Sequence, residues 1–317
     1  MIKTRLAKSF IAVLALLPVL AFGADRVGDF SLLDQQGYFH SMSWYDDHHA
    51  VALLVQANGS QATQDALSEY LALRDQYDSQ GIEFFMLNPM GLNNRDDVAA
   101  EQTRLGVDMP VLMDDAQVIS EALGVGKTGE VFLYNPKSFT VEFRGPVGPE
   151  FVQALTAVVA GEAVSNTVVA TTGSPVTYAY KMATVSYEQD IAPIIADNCA
   201  KCHREAGIAP FALNSHAVAQ GWSPMIREVV MTKRMPPAQV DPHIGDFSND
   251  MNLQDSEVQK LFSWIDAGSP KDGATDPLAL LTWPESEWAF GEPDLIIEIP
   301  PQAVPATGVY PVSPSWT

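Results

Sequence analysis

The chain has two cysteines in 317 residues, and both lie in Cys199-Ala200-Lys201-Cys202-His203. Cysteines three apart on helical backbone sit about one turn from each other on one side. Two thiols at that spacing, with a histidine next in line, fit covalent haem attachment: each sulfur adds to one vinyl group, and the imidazole reaches the iron from the same side. A CxxC disulfide or a metal site is the alternative. Zinc would need further ligands, for which only His216 and His243 are near in sequence. For the opposite face of the iron, Met235 in Lys233-Arg234-Met235-Pro236-Pro237 is the preferred ligand, because two prolines stiffen the loop that presents its sulfur. Met225, Met231 and Met251 are rivals, as are His216 and His243. A methionine ligand raises the iron's potential relative to two histidines. It also fills the coordination sphere, which favours electron transfer over peroxide or oxygen chemistry. The expected cofactor is therefore one covalent haem c on Cys199 and Cys202, with His203 proximal and Met235 distal.

Elsewhere the polar clusters point to no catalytic residue. His48-His49 beside Asp46 and Asp47 is read as a solvated loop, because adjacent residues rarely converge on one ion. Gly124-x-Gly126-Lys127-Thr128 lacks the glycine spacing of a phosphate loop and is read as a turn. Ser60 has no recognisable His-Asp partners.

The elements that must position the motif follow from periodicity. Ser186-x-x-Gln189 is a capping-box pattern for a helix running into Cys199, with Ile191, Ile194 and Ile195 as its apolar face. Val258, Leu261, Phe262 and Ile265 mark a later amphipathic helix that stops at Gly268. Phe262, Trp264 or Ile265 is expected against the porphyrin or in the helix core. The first half has another rhythm. Val51–Gln56 and Ile82–Leu87 are short buried strands around a helix at 63–77, a helix follows at 96–105, and 131–134 and 140–143 form a hairpin across Asn135-Pro136. Phe151–Ala160 is a last apolar helix. This order gives an α/β domain at 24–160, a linker at 161–184, a small all-α domain at 185–275 and a Pro- and Trp-rich extension at 276–317.

Residues 1–23 read as a secretory signal: Lys3, Arg5 and Lys8, then an apolar run from Phe10 to Phe22, then small residues up to Gly23. A periplasmic or otherwise exported protein is expected, with membrane association only if that signal stays uncleaved. Export agrees with the haem motif, since bacterial c-type haem is attached outside the cytoplasm. The net charge of −21 argues against nucleic acid and favours steering toward a redox protein with a basic surface.

Two stretches carry a family resemblance. "VGDFSLLDQQG" and "MPVLMDDAQVISEALGV" resemble redoxin domains of the thioredoxin superfamily over about 27–160. In that comparison the reactive thiol position falls on Ser60 and the cis-proline position on Gly129, so thiol catalysis is not implied. "SYEQDIAPIIADNCAKCH…RMPP…VQKLFSWIDAG" resembles class I-like bacterial cytochrome c domains, in which such a methionine ligates iron. "TWPESEWAFGEPDLIIEIPPQAVPATGVYP" resembles the segment that precedes a copper type II, ascorbate-dependent monooxygenase-like domain in multidomain proteins. The fold class these imply is an α/β thioredoxin-like domain followed by a small all-α cytochrome c-like domain. The function they imply is electron transfer, with a copper monooxygenase-like protein as a partner. A haem peroxidase or antioxidant oxidoreductase is the alternative.

Overall fold

Seven strands form one sheet in the order β2-β1-β5-β4-β3-β6-β7. The computed structural model describes residues 26–90, 95–283 and 292–298, so the signal read at 1–23 lies outside the described residues. The strands are β1 (Ser31–Asp34), β2 (Phe39–Ser41), β3 (Ala50–Val55), β4 (Ile82–Asn88), β5 (Val111–Met113), β6 (Glu130–Asn135) and β7 (Thr140–Pro146). The helices are α1 (Gln61–Tyr77), α2 (Arg95–Leu105), α3 (Val118–Leu123), α4 (Pro149–Val159), α5 (Ala192–Asn198), α6 (His216–Met231) and α7 (Asp255–Asp266).

All six residues of β3 are buried, as an unbroken apolar run flanked by a strand on each side requires. It pairs in parallel with β4, which forces the crossover that α1 supplies. It pairs antiparallel with β6, and β6 with β7. Ala50, Ala52 and Leu54 face a core with Leu67, Tyr70 and Leu73 of α1 and Phe151, Ala154 and Leu155 of α4. Tyr70 keeps its polar end satisfied there, donating to the Phe85 carbonyl at 2.8 Å. A β-α-β unit, an antiparallel hairpin and a closing helix on the α1 face make this the thioredoxin-like α/β arrangement, as the sequence led one to expect. The expected strands, hairpin and helices are present, with bounds moved by up to three residues.

Residues 161–184, read from sequence as a linker, are bonded along the sheet part. Arg144 N donates to Thr167 O at 2.9 Å, and Thr128 N donates to Ser174 O at 3.0 Å.

The helical part begins at Ser186, whose hydroxyl accepts from Gln189 N at 3.0 Å. The other half of the expected box is replaced: Ser186 N donates to Asp190 Oδ2 at 3.0 Å. One wide π turn, Tyr187–Ile191, continues directly into α5. Trp264 of α7 is buried, with Tyr187 stacked on it at 6.1 Å. Phe262 is also buried, under the Arg227 guanidinium at 4.7 Å. Both aromatic rings therefore serve the helix core. Asp276 ties the chain's return to it, accepting from Tyr187 Oη at 2.6 Å and His216 N at 2.8 Å.

Sheet and helices belong to one compact unit that extends to Ala279. Arg95 of α2 grips Asp241 through two bonds of 2.7 and 2.6 Å, and Gln259 of α7 donates to Ala116 O at 3.0 Å. In the second unit, Leu280–Thr317, Leu295, Ile296 and Ile297 are exposed. Residues 284–291 and 299–317 of the Pro- and Trp-rich extension lie outside the described residues.

Candidate haem attachment site

The motif starts where α5 stops. Cys199 is the helix's C-terminal cap, its N–H donating to Ile195 O at 2.9 Å. Cys202 N and His203 N both donate back to Cys199 O, at 3.2 and 2.9 Å, so the pentapeptide closes a single tight turn. Both cysteines are free. The following loop is stitched to the same turn: Ala209 N bonds Cys202 O at 3.2 Å, and Leu213 N bonds His203 O at 2.8 Å.

That loop fixes the histidine. Nδ1 of His203 lies 3.2 Å from Phe211 O. A carbonyl can only accept, so Nδ1 carries the proton and Nε2 keeps its lone pair. The ring also packs on Phe211 at 4.5 Å, and Phe211 stacks on Trp222 of α6 at 4.3 Å. A backbone acceptor that orients a ligating imidazole is a recurring second layer of metal sites. Phe211 left no trace in the sequence reading, because every residue has a carbonyl. Only the fold selects which one is used.

The thiols are poorly placed for disulfide exchange. A helix C-terminus carries partial negative charge, which disfavours a thiolate. Burial, with Glu257 and Cys202 adding to it, pushes the Cys199 thiol up to about 12. Exchange-active thiols sit far below the free value. Position 60 in turn holds a serine whose oxygen caps α1, accepting from Thr63 N at 3.3 Å. Gly129, with φ of 77°, donates to Val55 O at 2.9 Å just before β6.

Met235 lies beyond the end of α6 and is 41% exposed. It lines a cavity of about 450 Å³ with Lys233, Asp114, Asp255 and Val258. Cys199, Cys202 and His203 do not line that cavity. The first turn of α7 adjoins both places: Asp255 and Val258 face the cavity, while Glu257 acts on Cys199. The structure thus brings Cys199, Cys202 and His203 into one turn, while Met235 lines a cavity they do not line. Of the rivals, Met231 is buried core and Met225 is exposed on α6. His216 is structural, its Nε2 donating to Ser269 O at 2.9 Å in a buried site. His243 lines the same cavity as Met235. His48 bonds Asp47 at 2.6 Å at the surface. Among the described residues no cluster of three or more His, Cys, Asp or Glu could hold a metal ion. Haem needs no such cluster, since the porphyrin nitrogens hold the iron.

The residues fit covalent haem on the proximal side. Two free thiols share a turn with an imidazole whose Nε2 is free. Apolar side chains between the motif and α7 are left exposed: Ile208, Trp222, Met225, Met235, Ile244 and Phe247.

No family model matches the chain, and no curated protein matches it. Similar solved structures include a hypothetical protein from Sinorhizobium meliloti 1021, with TM-score 0.43 and 22% identity, covering 49% of this chain and 93% of that one. A thiol:disulfide interchange protein of the thioredoxin family from Chlorobium tepidum TLS has TM-score 0.36 and 17% identity, covering 43% and 97%. Peroxidoxin BcpB from Mycobacterium tuberculosis has TM-score 0.35 and 16% identity, covering 43% and 93%. These are likenesses only; the fold assignment rests on the strand order and connections described above.

Proposed function

We propose that this chain is an exported, periplasmic electron-transfer protein carrying one haem c. Cys199 and Cys202 hold the group covalently, His203 Nε2 is the proximal ligand and Met235 Sδ the distal one. The observation that carries the proposal is the closed turn 199–203 with His203 Nδ1 engaged by Phe211 O. Bound there, haem supplies a one-electron couple at iron. The chain's own part is to tether it, to hold the imidazole tautomer and to cover one porphyrin face. Met235 suits the distal role because it is a half-exposed residue beyond the end of α6, whereas Met231 is buried. The thioredoxin-like part serves as scaffold and docking surface without thiol chemistry. The partner class is a redox protein with a basic surface, a copper monooxygenase-like protein among the candidates.

The test is Cys202→Ser in protein exported with its full signal. Double attachment is lost, and the thioether spectrum changes to that of a single link. An unchanged haem stain and spectrum in the variant would refute the assignment. A second reading, haem-dependent peroxidase or antioxidant activity, is favoured by Met235 lining a cavity that residues 199–203 do not line, since an unfilled sixth position admits peroxide. High-spin ferric haem that reacts rapidly with peroxide would select it; low-spin, unreactive haem selects electron transfer.

A further inference from the structure

A row of apolar side chains runs across three strands to the β2 edge of the sheet. Phe39 of β2 pairs with Leu33 of β1, and Leu33 pairs with Met113 of β5. Cross-strand partners point to one face, so the three side chains stand side by side. Their cover thins toward the edge: Met113 is 7% exposed, Leu33 is half-buried and Phe39 is 37% exposed. All three line the cavity of about 450 Å³ that Met235 also lines. Val118 and Ile119 of α3 line it too, and both are buried.

The helical part supplies the rest of the apolar lining: Met235, Val240, Leu253 and, from the first turn of α7, Val258. The exposed polar residues Lys233, His243, Asp250 and Asp255 lie where the cavity opens to solvent. Its volume is in the range of cavities that hold organic groups, and a junction between two packed parts is a usual place for one. Two observations name the occupant. Met235, the proposed distal ligand, lines this cavity, and a ligating sulfur must face the space that the iron's group fills. The first turn of α7 joins the cavity to the tethering turn, since Val258 lines the one and Glu257 acts on Cys199 in the other.

We propose that the thioredoxin-like part is one wall of the haem pocket, with Phe39, Leu33 and Met113 against the porphyrin tethered at Cys199 and Cys202. The inference rests on the haem reading and on Met235 as distal ligand. It gives the thiol-free part a task, which is to keep water from the porphyrin. An apolar wall disfavours the extra charge of ferric iron and so raises the reduction potential. Phe39, outermost in the row, sets how much solvent enters. Trp44, 61% exposed, meets its ring edge-on at 5.3 Å.

The test is NMR of the exported, full-length, haem-loaded protein, comparing amide shifts in the ferric and ferrous states. Covalent attachment and methionine-ligated, low-spin haem are checked on the same sample. The unpaired electron of ferric iron moves the signals of nearby nuclei, and the effect falls steeply with distance. Amides of Leu33, Phe39, Met113 and Val118 shift between the two states, while those of Val141 and Phe143 in β7, at the other edge of the sheet, stay in place. Phe39→Ala lowers the midpoint potential, and Phe39→Leu lowers it less. Shifts confined to residues 185–275 in protein with methionine ligation intact, or an unchanged potential in Phe39→Ala, would overturn the wall and leave the haem reading standing. Protein without attached haem, or with haem that lacks a methionine ligand, would overturn that reading and the wall with it.

Discussion

At the scale of single residues, the site rests on roles that residue type alone does not settle. Met235 and Met231 are both methionines near the end of α6, but one is exposed and the other buried. Met235→Ala should therefore leave haem attachment and folding intact while removing the low-spin methionine-ligated spectrum; Met231→Ala should do the reverse, costing about 2–5 kcal/mol of stability. Spectra and denaturant unfolding of the two variants check this. Asp114 behaves differently from an ordinary carboxylate. Burial raises its pKa to about 6, against hydrogen bonds from the backbone N–H groups of Ser120 and Ile119. An unfolded chain releases that proton near 3.9. Between the two values the folded state holds a proton that the unfolded state has lost, so this group's contribution to stability falls as pH rises from about 4 to about 6. Asp114→Asn should remove that component. The stability gained on acidification from pH 7 to pH 4 should shrink by up to about 3 kcal/mol relative to the unsubstituted chain, measured by urea unfolding. An equal gain in both proteins would refute it.

At the scale of elements, the strongest tie between sheet and helical part is Arg95 on Asp241. Burial raises the Asp241 pKa, but hydrogen bonds from Arg95 and His243 N outweigh it and hold the carboxyl below its usual range. The pair fits beneath the β1–β2 turn only because position 37 is glycine. A Cβ there would meet Asp241 Oδ2 at 2.7 Å, and the φ of 90° suits no other residue well. Asp241→Ala strands a buried guanidinium and should cost about 3 kcal/mol, whereas the double variant with Arg95→Met should recover part of that loss. Chemical denaturation of the two proteins separates these outcomes. The same scale shows what a sequence can reveal. Val51–Gln56 and Ile82–Leu87 stood out because a strand buried on both faces must be apolar throughout. The edge pair β1 and β2 was only partly legible, at four and three residues, because so short a pair carries no period. α3 starts after Gln117 in a left-handed conformation, a position for which no residue type gives a signal. The stretch 161–184 had no period at all, since its bonding partners lie tens of residues away along the chain. In the site, the motif was visible from spacing, but the Phe211 carbonyl and the stacking on Trp222 depend on tertiary structure alone.

At the scale of the whole molecule, the thioredoxin-like part has no cysteine, and both cysteines of the chain lie at the end of α5. Its net charge of −21 gives long-range attraction to basic partners that salt screens. Association with a basic redox partner should therefore slow at least several-fold between low and physiological ionic strength; stopped-flow rates independent of salt would exclude electrostatic docking. The most direct test of the central claim is to export the full-length protein, denature it, and measure haem absorbance of the polypeptide together with its free thiols. Covalent haem c at Cys199 and Cys202 predicts haem that stays with the chain and no titratable thiol. A polypeptide without haem absorbance, showing two thiols after reduction, would contradict it.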